Sequence, residues 1–209
     1  MSMSISYAET GRTRQKSRTR RELVAAARTL LAQGLDPTVE QAAEAAEVSR
    51  ATAYRYFPNQ RALLTAVFPE MATTSLLPSP PPKEPEARLD VVVAELGRQL
   101  IEYEPELRAQ LRVSLEPGSE TATLPFRTGR AIGWIEEALD PLRDQMPASE
   151  LRRLVLAIRA SVGIESFVWL SDVGGASRKE AIEVMRWSAR ALLHEALHGT
   201  REERLRPSA

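Results

Sequence analysis

Between Ser49 and Phe57 the chain reads Ser-Arg-Ala-Thr-Ala-Tyr-Arg-Tyr-Phe, a run whose side chains could contact a nucleic-acid duplex. A helix that enters the major groove needs small residues where its backbone approaches, donors aimed at base edges, and hydroxyl or aromatic groups that reach phosphates. This segment has all three. Arg50 and Arg55 are candidate bidentate guanine readers or phosphate clamps, and Thr52 can meet a phosphate or a thymine methyl. Tyr54 and Tyr56 can donate to phosphates, Ala51 permits close approach, and Phe57 reads as core. Upstream, Thr38 and the exposed amide of Val39 would open a helix whose free N–H groups and dipole favour an anion. Arg61, farther on, is a further candidate phosphate contact.

Such a surface needs elements to hold it. Thr19 with Glu22 has capping-box form, and Leu23, Ala27, Leu30 and Leu31 follow at helical spacing until Gly34, which predicts a first helix over about 19–33. Thr38 with Gln41 opens a second helix that runs to Ala46, and Ser49 can cap a third that runs through Phe57. Asn59 can cap a fourth, which carries Leu63, Leu64, Val67 and Phe68. Pro78-Ser79-Pro80-Pro81-Pro82-Lys83-Glu84-Pro85 is too proline-rich for a helix interior or a central strand and reads as a loop or spacer. Beyond it, helical spacing returns over about 86–103, 105–116, 123–144, 149–171 and 177–198, the last opened by a Ser177/Glu180 capping box. No segment has strand period, so the expected class is all-α. The domain reading is a disordered basic arm over 1–18, a helix-turn-helix domain over 19–68, the end of the fourth helix with the Pro-rich connection over 69–85, and a helical ligand-binding and dimerisation domain over 86–209.

Val48-Ser49-Arg50-Ala51-Thr52-Ala53-Tyr54-Arg55-Tyr56-Phe57-Pro58-Asn59 resembles the recognition-helix signature of the TetR (tetracycline repressor) family, Val-Ser-x-x-Thr-x-Tyr-x-His/Tyr-Phe followed by a turn. Gly34, Ala42, Ala43, Ala46 and the Leu63-Leu64 pair extend the likeness over roughly 19–68. The resemblance implies a three-helix DNA-binding head, a helical effector-binding body and a dimer built on the last two long helices, with effector binding usually releasing the operator. Two positions depart from the family pattern. Gln60 stands where Lys is usual, and Glu47 stands where the turn favours Gly, a place where positive φ would strain a residue with a side chain.

Charge distribution agrees with a polyanion-binding head. The whole chain is neutral, with 28 basic and 28 acidic residues. Up to Phe68, however, ten basic residues outnumber six acidic ones, which leaves +4 there and −4 in the remainder. The arginines and lysine between Arg12 and Arg21 would strengthen non-specific contact with phosphates. Cysteine is absent, so disulfides and thiolate metal sites are excluded, which suits a cytoplasmic location. No apolar run approaches the roughly 20 residues of a membrane span, so no membrane partner is expected.

His194-Glu195-Ala196-Leu197-His198 satisfies the H-E-x-x-H pattern of zinc peptidases. Only Glu202 and Glu203 follow as possible third ligands, too close behind to fold back easily, and Arg201 stands three places after His198. The pair is expected to lie on an exposed helix face or at a dimer interface. No catalytic residue, metal, cofactor or enzymatic activity is therefore expected.

For the body, Leu100, Tyr103, Phe126, Arg130, Trp134, Phe167 and Trp169 are the candidate effector-pocket residues, an apolar set with a few polar groups. Ala157, Ala160, Ser161, Ser188, Ala189, Leu192 and Ala196 are the candidate dimer interface, since small side chains let helices approach. The expected function is a homodimeric, sequence-specific transcription regulator. It would act as a repressor released from a pseudo-palindromic double-stranded operator by a small-molecule effector.

Overall fold

The computed structural model describes residues 7–67, 74–115 and 130–199, with side chains from Gln15 onward. Among them are ten α-helices and no strand, as the all-α reading requires: α1 (Tyr7–Ala32), α2 (Val39–Ala45), α3 (Arg50–Tyr56), α4 (Gln60–Ala66), α5 (Pro85–Glu102), α6 (Glu104–Leu115), α7 (Arg130–Ala138), α8 (Ala148–Ser161), α9 (Ile164–Val168) and α10 (Arg178–His198). Of the described residues, 7–67 with 105–115 form one compact unit, and 74–104 with 130–199 form a second.

In the first unit α1 begins at Tyr7, well before the expected Thr19, so the basic segment read as a disordered arm is helical from Tyr7 on. Arg, Lys and Gln are good helix formers, and Glu22, instead of capping, pairs with Arg18 one turn back at 2.7 Å. Leu23, Ala27 and Leu31 on one face of α1 are buried with Val39, Ala42 and Ala43 of α2, Ala53 and Phe57 of the α3 region, and Leu63, Leu64 and Val67 of the α4 region. The run of alanines keeps three short helices close around Phe57. The Arg28 guanidinium donates to the Val67 carbonyl and so ties α1 to the end of α4. α6, from the segment expected to belong wholly to the body, joins this unit: the Arg112 guanidinium pairs with the Asp36 carboxylate, and Gln110 Nε2 donates to the Thr65 carbonyl at 3.4 Å.

In the second unit α5 packs along α10. A Cβ at Gly97 would lie 2.8 Å from Cγ2 of Ile182, so only glycine permits that approach. Arg186 of α10 grips Asp90 of α5 with two hydrogen bonds, at 2.7 and 3.2 Å. Arg178 pairs with the buried Glu104 at 2.6 Å. Arg88 of α5 donates to the carbonyls of Glu137 and Ala138, at 2.7 and 3.0 Å, and to Pro82 at 3.3 Å. One side chain thereby satisfies the last carbonyls of α7, where a cation is favoured, and fixes the Pro-rich loop.

The helix expected over 149–171 is interrupted. Val162 and Gly163 adopt extended backbone, and Arg159 folds across the break to donate to the Val162 carbonyl at 3.1 Å. A Cβ on Gly163 would sit 2.1 Å from that guanidinium, so the bare residue makes room for it. By length and composition the segment Ala148–Val173 is apolar enough to cross a membrane, contrary to the expectation from sequence. It is nevertheless broken in the middle, and Leu154, Val155, Ile158, Ile164 and Phe167 are buried in the protein. One face of the segment therefore belongs to the core.

Candidate nucleic-acid interface

The surface expected to meet DNA lies on α2 and α3, and its geometry is set by local hydrogen bonds. Thr38 caps α2 with a complete box: the Gln41 amide donates to its hydroxyl at 3.2 Å, and the Thr38 amide donates to Gln41 Oε1 at 2.8 Å. Val39 follows with its side chain buried, which fixes the first turn of α2 against the core. Ser49 caps α3 by accepting from the Thr52 amide at 3.3 Å, and its hydroxyl donates to Thr52 Oγ1 at 2.9 Å. Thr52 Oγ1 is thereby held in the first turn of α3.

Between α2 and α3 the chain turns through Glu47 at φ 54°. The Val48 amide donates to Ala43 and the Glu47 amide to Glu44, at 2.9 and 3.1 Å, the two bonds of a Schellman motif. α1 ends in the same way. There Gly34 holds φ 78° while the Leu35 and Gly34 amides donate to Leu30 and Leu31, at 3.0 and 2.9 Å. The turn has the ordinary wound form, and Glu47 takes the left-handed conformation that strains a residue with a side chain, as expected.

Of the recognition residues, Arg50, Ala51, Tyr54 and Arg55 are exposed, Thr52 and Tyr56 are half-buried, and Ala53 and Phe57 are buried. The helix thus divides into an outward face that carries the candidate contacts and an inward face that holds it to the core. Arg55 lies over the Tyr56 ring at 5.7 Å and Arg20 over the Phe57 ring at 5.6 Å, each within cation–π range. A basic residue of α1 is therefore seated at the end of α3. Arg61 is half-buried in the first turn of α4, which Asn59 caps by accepting from the Ala62 amide at 2.8 Å. Gln60, where the resemblance favours a lysine, instead donates to the Pro37 carbonyl at 3.2 Å and braces the entry to α2.

Sequence reading missed one partner on this surface. The Tyr54 hydroxyl donates to the Glu40 carboxylate. That hydrogen bond, ahead of the lesser attraction of Arg50, holds the Glu40 carboxyl below its ordinary range, and the same bond holds the Tyr54 phenol above its own. The two residues stand 14 positions apart, on different helices, so no spacing rule pairs them.

In the second unit, Leu100, Trp134 and Phe167 are buried, Tyr103 is half-buried and Arg130 is exposed, while Phe126 lies outside the described residues. Trp134 Nε1 donates to the Thr74 carbonyl at 3.2 Å. Trp169 is 59 % exposed and lines a surface groove with Ser161, Ser166, Val184 and Ser188, apart from the core that holds Trp134 and Phe167. Of the residues expected at a dimer interface, Ala160 is exposed, Ala157, Ser161, Ser188, Leu192 and Ala196 are half-buried, and Ala189 is buried within its own unit. Leu156, Val173, Val184 and Trp187 are exposed large apolar residues of the second unit that the sequence reading did not single out. Among the described residues no three His, Asp or Glu side chains are grouped to hold a metal.

No curated protein matches the chain. Residues 23–67 match the family model described as bacterial regulatory proteins of the tetR family. That stretch runs from the first buried leucine of α1 to the carbonyl that Arg28 holds after α4, and it contains the whole capped helix pair. Residues 23–67 are thus similar to the N-terminal domain of bacterial regulatory proteins of the tetR family, and that domain implies a DNA-binding transcription regulator.

Proposed function

We propose that the protein is a homodimeric, cytoplasmic repressor that binds a pseudo-palindromic operator and is released from it by a small-molecule effector. The observation that carries the DNA half of this reading is the division of α3, with Arg50, Ala51, Tyr54 and Arg55 outward and Ala53 and Phe57 inward. A two-fold pair of such helices would meet successive major-groove turns. The dimer half is supported by the exposed Val184 and Trp187, three residues apart on α10, and by Trp169, which lines one groove with Val184, since large apolar groups grouped on one surface mark an association site. Leu100, Tyr103, Arg130, Trp134 and Phe167 remain the candidate effector contacts.

Release requires the effector to prefer one spacing of the two heads, because a ligand indifferent to that spacing shifts nothing. Selection of duplexes from a random pool by the purified protein tests the reading. It should enrich an inverted repeat bound by two chains. Enrichment of no sequence at moderate ionic strength, or a protein that stays monomeric, would overturn it.

A further inference from the structure

The histidine pair near the end of α10 has no part in the reading above, and its geometry points to chemistry of its own. His194 and His198 are four residues apart, so their side chains rise from the same face of the helix. Both are exposed, and their ring centroids are 4.6 Å apart. Among the described residues neither imidazole has a hydrogen-bond or ion-pair partner, and none of those residues competes for its lone pairs. Neutral imidazole nitrogens about 2.0–2.1 Å from one ion are the usual ligands of zinc and its neighbours. Rings this close, on rotatable side chains, can reach one ion together.

The surroundings favour a dication. The pair occupies the last turns of α10, where the unsatisfied carbonyls give the helix end a partial negative charge. Glu195 lies over the same end: a Cβ built on Gly199 would stand 2.0 Å from Glu195 Oε1, so the bare glycine leaves room for that carboxylate beside the final turn. Arg190 points its charge elsewhere, towards Asp90 at 3.9 Å.

We infer that His194 and His198 form a two-ligand, solvent-open site for a late first-row divalent metal such as zinc, nickel or copper, with water filling the remaining positions. The site differs in kind from the peptidase centre that the same five residues suggest. A catalytic zinc needs a third protein ligand and a water-excluding cleft, whereas these imidazoles stand on an open helix face. Two ligands on a preformed helix instead make an exchangeable site, whose preference follows the order of imidazole affinity, copper above nickel above cobalt, and which passes over magnesium and calcium, cations that prefer oxygen ligands.

The test is calorimetric titration of the tag-free, chelator-treated full-length protein with nickel, zinc and magnesium chlorides. The expected result is one nickel or zinc ion per chain and no heat from magnesium. His194→Gln and His198→Gln should each weaken binding at least tenfold, and the double variant should abolish it. Circular dichroism should show unchanged helix content in all three, because both positions are exposed. Binding by the double variant equal to that of the parent, or no binding by either, would overturn the inference.

Discussion

The Tyr54 hydroxyl, on the face of α3 that turns outward, donates its proton to the carboxylate of Glu40 on α2. A negative group thus stands on the surface proposed to meet DNA, and it occupies the hydroxyl of Tyr54, one of the candidate phosphate donors. Tyr54 is 41 % exposed, so an incoming phosphate competes with Glu40 for that proton. Glu40→Gln should raise affinity for any duplex by roughly threefold to tenfold at low salt, with less gain as salt rises. Fluorescence anisotropy against one duplex over a salt series measures it, and weaker binding by the variant would instead assign Glu40 the task of aiming the tyrosine.

The same pair fixes a pH dependence. The carboxyl of Glu40 is held low, so its contribution is complete above the ordinary carboxylate range and is lost as pH falls through the depressed value. The phenol of Tyr54 is held high, so its contribution is complete below its ordinary value near 10 and is lost as pH climbs through the raised one. Between those limits the link is intact. Denaturation midpoints of the parent and Tyr54→Phe should therefore differ by a constant amount from pH 6 to 9 and converge towards acid.

Arg50 and Arg55 are both exposed on α3, and replacement of either by alanine should weaken operator binding about tenfold to a hundredfold. Competition against scrambled duplexes separates the two possible roles. A base reader loses discrimination at one position of the site, whereas a phosphate clamp loses affinity for all sequences and flattens the salt dependence.

Glu47 and Gly34 occupy equivalent places in two Schellman turns, and only one of them is glycine. A side chain in the left-handed region costs about 1–2 kcal/mol, partly offset in Glu47→Gly by the greater freedom of glycine in the unfolded chain. Glu47→Gly should stabilise the protein by about 0.5–1 kcal/mol. Gly34→Ala, with no atom near the new Cβ, should destabilise it by about 1–2 kcal/mol on conformational grounds alone. Urea denaturation gives both signs.

Gln110 is fully buried, and among the described residues its Oε1 has no hydrogen-bond partner. A buried acceptor left unpaired costs about 1–3 kcal/mol, and the 3.4 Å bond from Nε2 to Thr65 repays only part of it. Gln110→Met, close in volume, should leave stability unchanged or raise it by about 1 kcal/mol in the same denaturation assay.

Trp187 is 65 % exposed on α10, near the exposed Val184 one turn before it. Trp187→Glu should shift sedimentation at micromolar concentration from two chains to one without loss of helix content. An unchanged sedimentation coefficient would move the dimer contact elsewhere.

Local chemistry was readable from the chain. Thr38 with Gln41, Ser49, Asn59, and Ser177 with Glu180 each cap the helix that their spacing marks, because a cap acts within four residues. The outward face of α3 was legible for the same reason. What escaped depends on distant partners. The longer α1 was hidden because a polar run without apolar period still has helix propensity. The break at Val162 and Gly163 is sealed by Arg159, whose fold-back no periodicity reveals. The Tyr54–Glu40 link and the seating of α6 join residues far apart in the chain, and the exposure of Trp169 and Trp187 follows from the packing of the whole second unit.

The α6 attachment bears on biosynthesis. The Thr65 carbonyl waits for Gln110, 45 residues later, and Asp36 waits for Arg112, 76 residues later. A ribosome that has delivered only the family-matching stretch has therefore not yet supplied all the side chains that close its own unit. A gene fragment cut after Val67 would produce a head that lacks those two braces, and its yield and melting temperature should fall below those of the same helices in the intact chain.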